Sequence, residues 1–146
     1  MSDIKLIGID LGATNIRAGI VQKGILHTIQ TKKINSTGSI EEVLADFYLL
    51  IDALLDKEVA AIGIGVPSVV DLSKGIVYDV QHIPSWKEVP LKEILEKKYH
   101  LPVFINNDAN CFALGEFHFG KGRGKSDMIG LTIGTGLGAG VIVNKH

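Results

Sequence analysis

The hydrophobic period of this chain changes at Ser39, and that change restricts its fold more than any other feature of the sequence. Ile4 to Asp10, Ile16 to Val21 and Ile25 to Thr31 read as strands, parted by the turns Leu11-Gly12-Ala13-Thr14-Asn15 and Lys23-Gly24. From Ser39 the spacing becomes three and four: Ile40, Val43, Leu44, Phe47, Leu50, Ile51, Leu54 and Leu55 share one helical face. Ser39 with Glu42 forms a capping box, so the helix is expected to run from there to about Lys57. An antiparallel meander followed by a crossover helix predicts a sheet of mixed direction.

The remaining segments continue that alternation. Ala60 to Val66 is a short apolar run ended by Pro67, as in a buried strand, and a long loop is expected from there through Trp86. Pro90 suits the first turn of a second helix to about Tyr99, because its missing N–H would be unpaired there anyway. Val103 to Asn106 reads as a strand and Asp108 to about His118 as a helix. Met128 to Ile133 and Gly138 to Val143 close the order as a hairpin, giving βββαβαβαββ and an α/β fold with helices over a mixed sheet.

Composition excludes several partners. A net charge of -1 gives no general attraction for polyanions, and no apolar run approaches the roughly 20 residues that span a bilayer. The single cysteine, Cys111, can form neither an internal disulfide nor a cysteine-rich zinc site. No leader-like segment follows Met1-Ser2-Asp3, so a cytoplasmic location is expected, with no membrane partner and no nucleic acid. Glycine is the unusual term: 17 in all, nine of them in the last 32 residues, where backbone must approach something closely.

Three segments can carry chemistry. Asp10-Leu11-Gly12-Ala13-Thr14-Asn15 places an acid, a glycine and polar donors between two strands; such a turn can cradle a phosphate while Asp10 orients a hydrated Mg2+. The same residues also suit a plain hairpin turn. Gly134-Thr135-Gly136-Leu137-Gly138-Ala139-Gly140 lacks the lysine of a P-loop and does not open a helix, and its alternate glycines clear one face of a hairpin for either phosphates or another backbone. Asn106-Asn107-Asp108-Ala109-Asn110 lies where a strand ends and a helix begins, the edge at which α/β sheets bind ligands, although Asn107 or Asp108 could equally serve as a helix cap. Two glycine turns and a strand-end aspartate are together the parts of a phosphotransferase.

Those segments, with Gly63-Ile64-Gly65-Val66-Pro67 and the continuation Cys111-Phe112-Ala113-Leu114-Gly115-Glu116, resemble the ROK family of glucokinases, other hexose and N-acetylhexosamine kinases, and sugar-responsive repressors. The resemblance runs along nearly the whole chain, in the family's order. It implies an actin-like, ribonuclease-H-like fold with ATP and sugar in the cleft between two lobes. Residues 1–120 would be the N-terminal lobe and 121–146 the start of a second lobe that is otherwise missing. Asp108 would be the catalytic base facing a primary hydroxyl, and Asn107 would bind the sugar. Gly12, Thr14 and Asn15 would hold the ATP phosphates from one side and Gly134, Thr135, Gly136 and Gly138 from the other, with Asp10 serving Mg2+ through water.

Two departures from the family pattern bear on which sugar is bound. Ser68 stands where the family usually has glycine, and His82-Ile83-Pro84-Ser85-Trp86 has histidine in place of the family's asparagine, both at positions bordering the sugar. His82 could equally be a solvated loop histidine, and Trp86 could stack on sugar or pack the loop down. Cys111 reads as a small apolar residue on a helix face, and Lys121, Arg123 and Lys125 as a solvated turn. The expected activity of the complete protein is ATP-dependent sugar phosphorylation; this chain alone is expected to be an incomplete kinase that pairs with another copy of itself or aggregates, because its last hairpin lacks a sheet to join, and that phosphorylates sugar poorly if at all. The alternative within the family is a sugar-sensing repressor; with three residues ahead of Ile4, a DNA-binding domain is not expected here. A non-sugar ATPase of the actin-like superfamily fits Asn107-Asp108-Ala109-Asn110 less well.

Overall fold

A computed structural model of the chain describes residues 4–134 and 136–146. Strands β1 (Lys5–Leu11), β2 (Asn15–Gln22) and β3 (Ile25–Lys33) form the meander, and α1 (Ile40–Leu54) crosses to β4 (Val59–Val66). Strands β5 (Val69–Asp71), β6 (Ile76–Tyr78) and β7 (Glu88–Val89) follow, then α2 (Leu91–Tyr99), β8 (Val103–Asn107), α3 (Asp108–Phe119), β9 (Met128–Ile133) and β10 (Leu137–Ile142). The main sheet has the order β3-β2-β1-β4-β8. β1 runs antiparallel to β2 and parallel to β4, which is parallel to β8, so the sheet is mixed as expected.

One face of that sheet carries the core. Ile7, Ile9 and Leu11 alternate inward with Ile16, Ala18, Ile20, Ile62, Ile64 and Val66, and pack with Val43, Phe47, Leu50 and Ile51 of α1. The capping box is present: Ser39 Oγ accepts from Glu42 N at 3.3 Å and Glu42 Oε2 accepts from Ser39 N at 2.8 Å. The carboxylate of buried Asp46 on α1 accepts from Asn35 N at 2.7 Å and meets Lys32 Nζ at 3.2 Å, tying the helix to the end of the meander.

α1 ends at Leu54, short of the expected Lys57. Leu55 turns extended, and Asp56 takes the chain over: its carboxylate accepts from Glu58 N at 2.9 Å and its carbonyl from Val59 N at 3.2 Å. A short acid that bonds its neighbours' amides competes with the helix for them.

The expected loop after Pro67 is instead a three-stranded antiparallel ribbon, β5-β6-β7. Its strands are two or three residues long, too short for a period of two to register in the sequence. Asp71 Oδ1 builds its tight turn by accepting from Ser73 N, Ser73 Oγ and Lys74 N, and Gly75 follows at φ 65°. Trp86 pins the ribbon's far end: it is 0% exposed and stacks on Phe47 with ring centroids 5.6 Å apart. Packing, not sugar stacking, is what this tryptophan does. Pro90 stands one position earlier than expected, as the residue before α2.

The opposite face of the main sheet is built differently. Gly8 lies across from Gly19 on one side and Gly63 on the other, a row of bare backbone bordered by exposed Leu26, Ile29 and Phe104. One register step along, Arg17, Asp10, Gly65 and Asn106 form a second row that leads to the start of α3. α3 sits over Gly65, where a Cβ would lie 3.5 Å from both Asp108 Cα and Cys111 Sγ.

Among the described residues β9 and β10 pair only with each other, a two-stranded sheet apart from the main one, as expected of a hairpin without its own sheet. Its inner face rests on α3 through glycines: a Cβ at Gly130 would come within 3.1 Å of Ala113 Cβ, and one at Gly138 within 2.9 Å of Ala109 Cβ. Its outer residues Ile129, Leu131, Ile133 and Val141 are exposed, Ile133 to 84%. Among the described residues no helix is long and apolar enough to cross a membrane.

Candidate active site

The ends of β4 and β8, the ribbon and the tip of the β9-β10 hairpin enclose an open cleft of about 1160 Å3. Gly12, Ser68, His82, Asn107, Asp108, Gly134, Gly136 and Gly138 all line it, so eight of the residues singled out from sequence meet there. Asp10 lies in an adjoining groove on the glycine-rich face, which shares Asn106, Asp108 and Thr132 with the cleft. Thr14 and Asn15 do not line the cleft: the Thr14 carbonyl accepts from Ile34 N at 3.0 Å and the Asn15 carbonyl from Gly12 N at 2.9 Å. Thr135 lies outside the described residues.

The Asn107-Asp108 pair is held by the start of α3. Asn107 is the N-cap, its Oδ1 accepting from Ala109 N at 3.0 Å and Asn110 N at 3.3 Å, while its Nδ2 donates to the Ser68 carbonyl at 3.3 Å. An asparagine side chain has two donors and two acceptor positions, so Asn107 has one N–H left to offer a ligand. Asp108 Oδ1 accepts from Ala109 N at 2.8 Å, and its Oδ2 makes no hydrogen bond among the described residues. One oxygen therefore fixes the carboxylate and the other is available as an acceptor.

Charge is uneven around this pair. Packing raises the Asp10 carboxyl above the ordinary carboxylate range, and Asp108 adds repulsion, while Arg17 across the strand pair opposes both. Cys111 is exposed on α3, and partial desolvation raises its thiol, with Asp108 and Asp10 adding to it, which makes Cys111 a poor nucleophile. Among the described residues no three or more His, Cys, Asp and Glu gather as a metal cage. The donor set suits an ion that keeps most of its water and takes one or two carboxylates, as Mg2+ does.

The glycines of the β9-β10 hairpin differ in what their bareness serves. Gly138 and Gly140 are occupied by the packing of α3, whereas Gly134 and Gly136 face open space at the hairpin tip with nothing within 4 Å of a would-be Cβ. Gly134 N closes the tip on the Gly136 carbonyl at 2.9 Å, and the bare, exposed backbone of these two glycines leaves room on the cleft for a ligand to approach.

Sequence reasoning missed Tyr78, Asp79 and Gln81 and gave no separate role to Asn106 and Asn110, all of which line the cleft. The first three lie on the ribbon taken for a loop. Asn106 and Asn110 were legible as an i, i+4 pair of amides flanking Asp108; Asn110 Nδ2 donates to Asn106 Oδ1 at 3.1 Å, which also accepts from Asn107 N at 2.8 Å.

The fold is the actin-like α/β architecture, a mixed sheet with flanking helices whose strand ends open on a cleft. The chain belongs to the ROK family, whose model matches residues 6–146. It is 36% identical to a glucokinase of Thermotoga maritima over 148 residues, covering 100% of this chain and 47% of the relative. It is likewise 36% identical to a xylose repressor of Caldicellulosiruptor bescii, over 96% of this chain and 37% of that one. A solved ROK family glucokinase from Streptomyces griseus, in complex with glucose and AMPPNP, superimposes with a TM-score of 0.88 at 35% identity, over 97% of this chain and 45% of that one. The chain thus spans about half the length, or less, of these relatives.

Proposed function

We propose that this chain forms the sugar-holding part of an ATP-dependent sugar kinase, which phosphorylates a hexose or N-acetylhexosamine at its primary hydroxyl. The observation that carries this reading is Asp108: one oxygen is locked to the start of α3 and the other is unbonded in a cleft that also holds the remaining N–H of Asn107. Oδ2 of Asp108 accepts the hydroxyl proton as the hydroxyl oxygen attacks the terminal phosphorus of ATP, and ADP leaves. Phosphoryl transfer has a loose transition state, so holding the reactants in line and neutralising charge supply most of the rate.

In this reading Asn107 donates to a sugar oxygen, and Ser68 and His82 border the sugar. Gly12 on one side and the Gly134-Gly136 tip on the other border the phosphates, their missing side chains letting these approach, with Thr14, Asn15 and Gly138 supporting the two turns. Asp10 would hold Mg2+ through water, and the ion would supply charge neutralisation at the phosphates. Residues 1–120 make up the first lobe and 121–146 the opening hairpin of the second. The glucose and AMPPNP complex of the Streptomyces griseus relative supports both the sugar and the nucleotide assignments.

ADP release in Mg-ATP, measured against glucose, mannose, allose, fructose and N-acetylated hexoses, tests the reading. Turnover that needs sugar and is lost in Asp108→Asn supports it; sugar-independent ADP release overturns it. The similarity to a xylose repressor favours a second reading, a sugar-sensing protein that binds its sugar with no ADP release. The reading also includes self-association through the exposed outer face of the hairpin, and a monodisperse monomer in light scattering would count against that part.

A further inference from the structure

Ser68 has each of its hydrogen-bonding groups but its hydroxyl lone pairs committed within the protein. Its N–H donates to the Val66 carbonyl at 2.9 Å, its carbonyl accepts from Asn107 Nδ2 at 3.3 Å, and its hydroxyl donates to the Tyr78 carbonyl. The last of these crosses from the end of β4 to the ribbon. Val69 and Tyr78 are the final pair of the β5-β6 ladder, because the chain swings away at Asp79, a non-glycine residue at φ 45° whose N–H turns to the Lys87 carbonyl at 3.0 Å. The Ser68 side chain therefore extends the tie between the two strands one step beyond where their backbones part.

Both ends of this tie lead to the cleft. On the Tyr78 side the chain continues into Asp79, Gln81 and His82, which line the cleft wall. On the other side the Ser68 carbonyl holds the amide of Asn107, whose oxygen in turn caps α3 at Ala109 and Asn110, next to Asp108. A hydroxyl used as a donor to a carbonyl has no proton to give a sugar.

The geometry points to Ser68 as a positioning residue, which couples the ribbon to the Asn107-Asp108 end of β8, and not as a hydrogen-bond donor to the sugar. The inference rests on the sugar-kinase reading for its consequence, and on the hydrogen bonds alone for the coupling. Its effect is to keep the cleft wall and the capped carboxylate at one separation, so that a sugar spanning them meets both preformed.

The coupling is tested first without any ligand, by amide hydrogen exchange on Ser68→Ala, Ser68→Thr and Ser73→Ala. Ser68→Ala is expected to speed exchange about tenfold in residues 76–82 and also at Ala109 and Asn110, on the scale of one lost hydrogen bond. Ser68→Thr keeps the hydroxyl and is expected to exchange as the wild type does. Ser73→Ala loosens the ribbon's far turn and is expected to leave Ala109 and Asn110 unchanged. Unaltered exchange at Ala109 and Asn110 in Ser68→Ala overturns the coupling.

Calorimetric titration with glucose and its monodeoxy analogues then separates positioning from contact. Ser68→Ala is expected to weaken each sugar by the same factor, roughly three- to tenfold. A loss that vanishes with one deoxy sugar means that Ser68 touches the missing hydroxyl, and the inference fails. If the wild-type protein binds no sugar, the kinase reading falls while the exchange result still decides the coupling.

Discussion

Gly140 of β10 lies so close to Ala113 of α3 that a Cβ on the glycine would stand 2.5 Å from the alanine methyl and 2.6 Å from the Ala109 carbonyl. Neither neighbour is the end of a flexible side chain, so Gly140→Ala must push the hairpin off the helix. A loss of about 1–3 kcal/mol is expected in urea denaturation, the usual cost of overpacking. Gly136→Ala, in open space at the tip, is expected to change stability by less than about 0.5 kcal/mol while weakening nucleotide binding.

Asp108→Asn preserves an acceptor for Ala109 N but removes the base. Sugar-dependent ADP release is expected to fall by about 10²- to 10⁴-fold with little change in thermal midpoint. A variant with wild-type turnover would remove Asp108 from the chemistry.

Asp10 makes stability depend on pH in a definite direction. Its native carboxyl binds a proton more tightly than the unfolded one, so the folded state holds more protons and stability falls as pH rises from about the ordinary value of 3.8 through the raised native value. Asp10→Asn removes that loss. The variant is expected to melt above the wild type at pH 7 and together with it at pH 3. A difference at pH 3 as large as at pH 7 would place the effect in packing and not in charge.

Trp86→Ala is expected to cost about 3–5 kcal/mol, because the ring is wholly buried and stacked on Phe47. Denaturation followed by circular dichroism measures it. A loss below about 1 kcal/mol would mean that the ribbon is held by its turns and ladder alone.

Where the sequence could be read, it was read through residues that obey one physical rule at a time. Ser39 and Glu42 announced α1 by reciprocal capping, and the runs before it announced β1 to β3 by their turns and their change of period. The ribbon escaped because Val69–Asp71, Ile76–Tyr78 and Glu88–Val89 are each shorter than two full alternations. The hairpin glycines were ambiguous for a different reason: a missing side chain shows that something comes close but not what does. At Gly138 and Gly140 it is α3, and at Gly134 and Gly136 the space is open. The tie from Ser68 to Tyr78 was not legible, since it runs beside a strand pair invisible in composition or period.

The position of β1 at the middle of the main sheet also governs how the chain can assemble. Its antiparallel neighbour β2 follows after a short turn, but its parallel neighbour β4 arrives only after β2, β3 and the whole of α1 have been synthesised and placed. Closing so long a segment carries an entropic cost before any parallel contact repays it, so the meander is set to form early and the β1-β4 pairing to govern the folding rate. Until that closure, the inward isoleucines of β1 remain in water, and this interval is when the nascent chain is most exposed to pairing with the wrong neighbour.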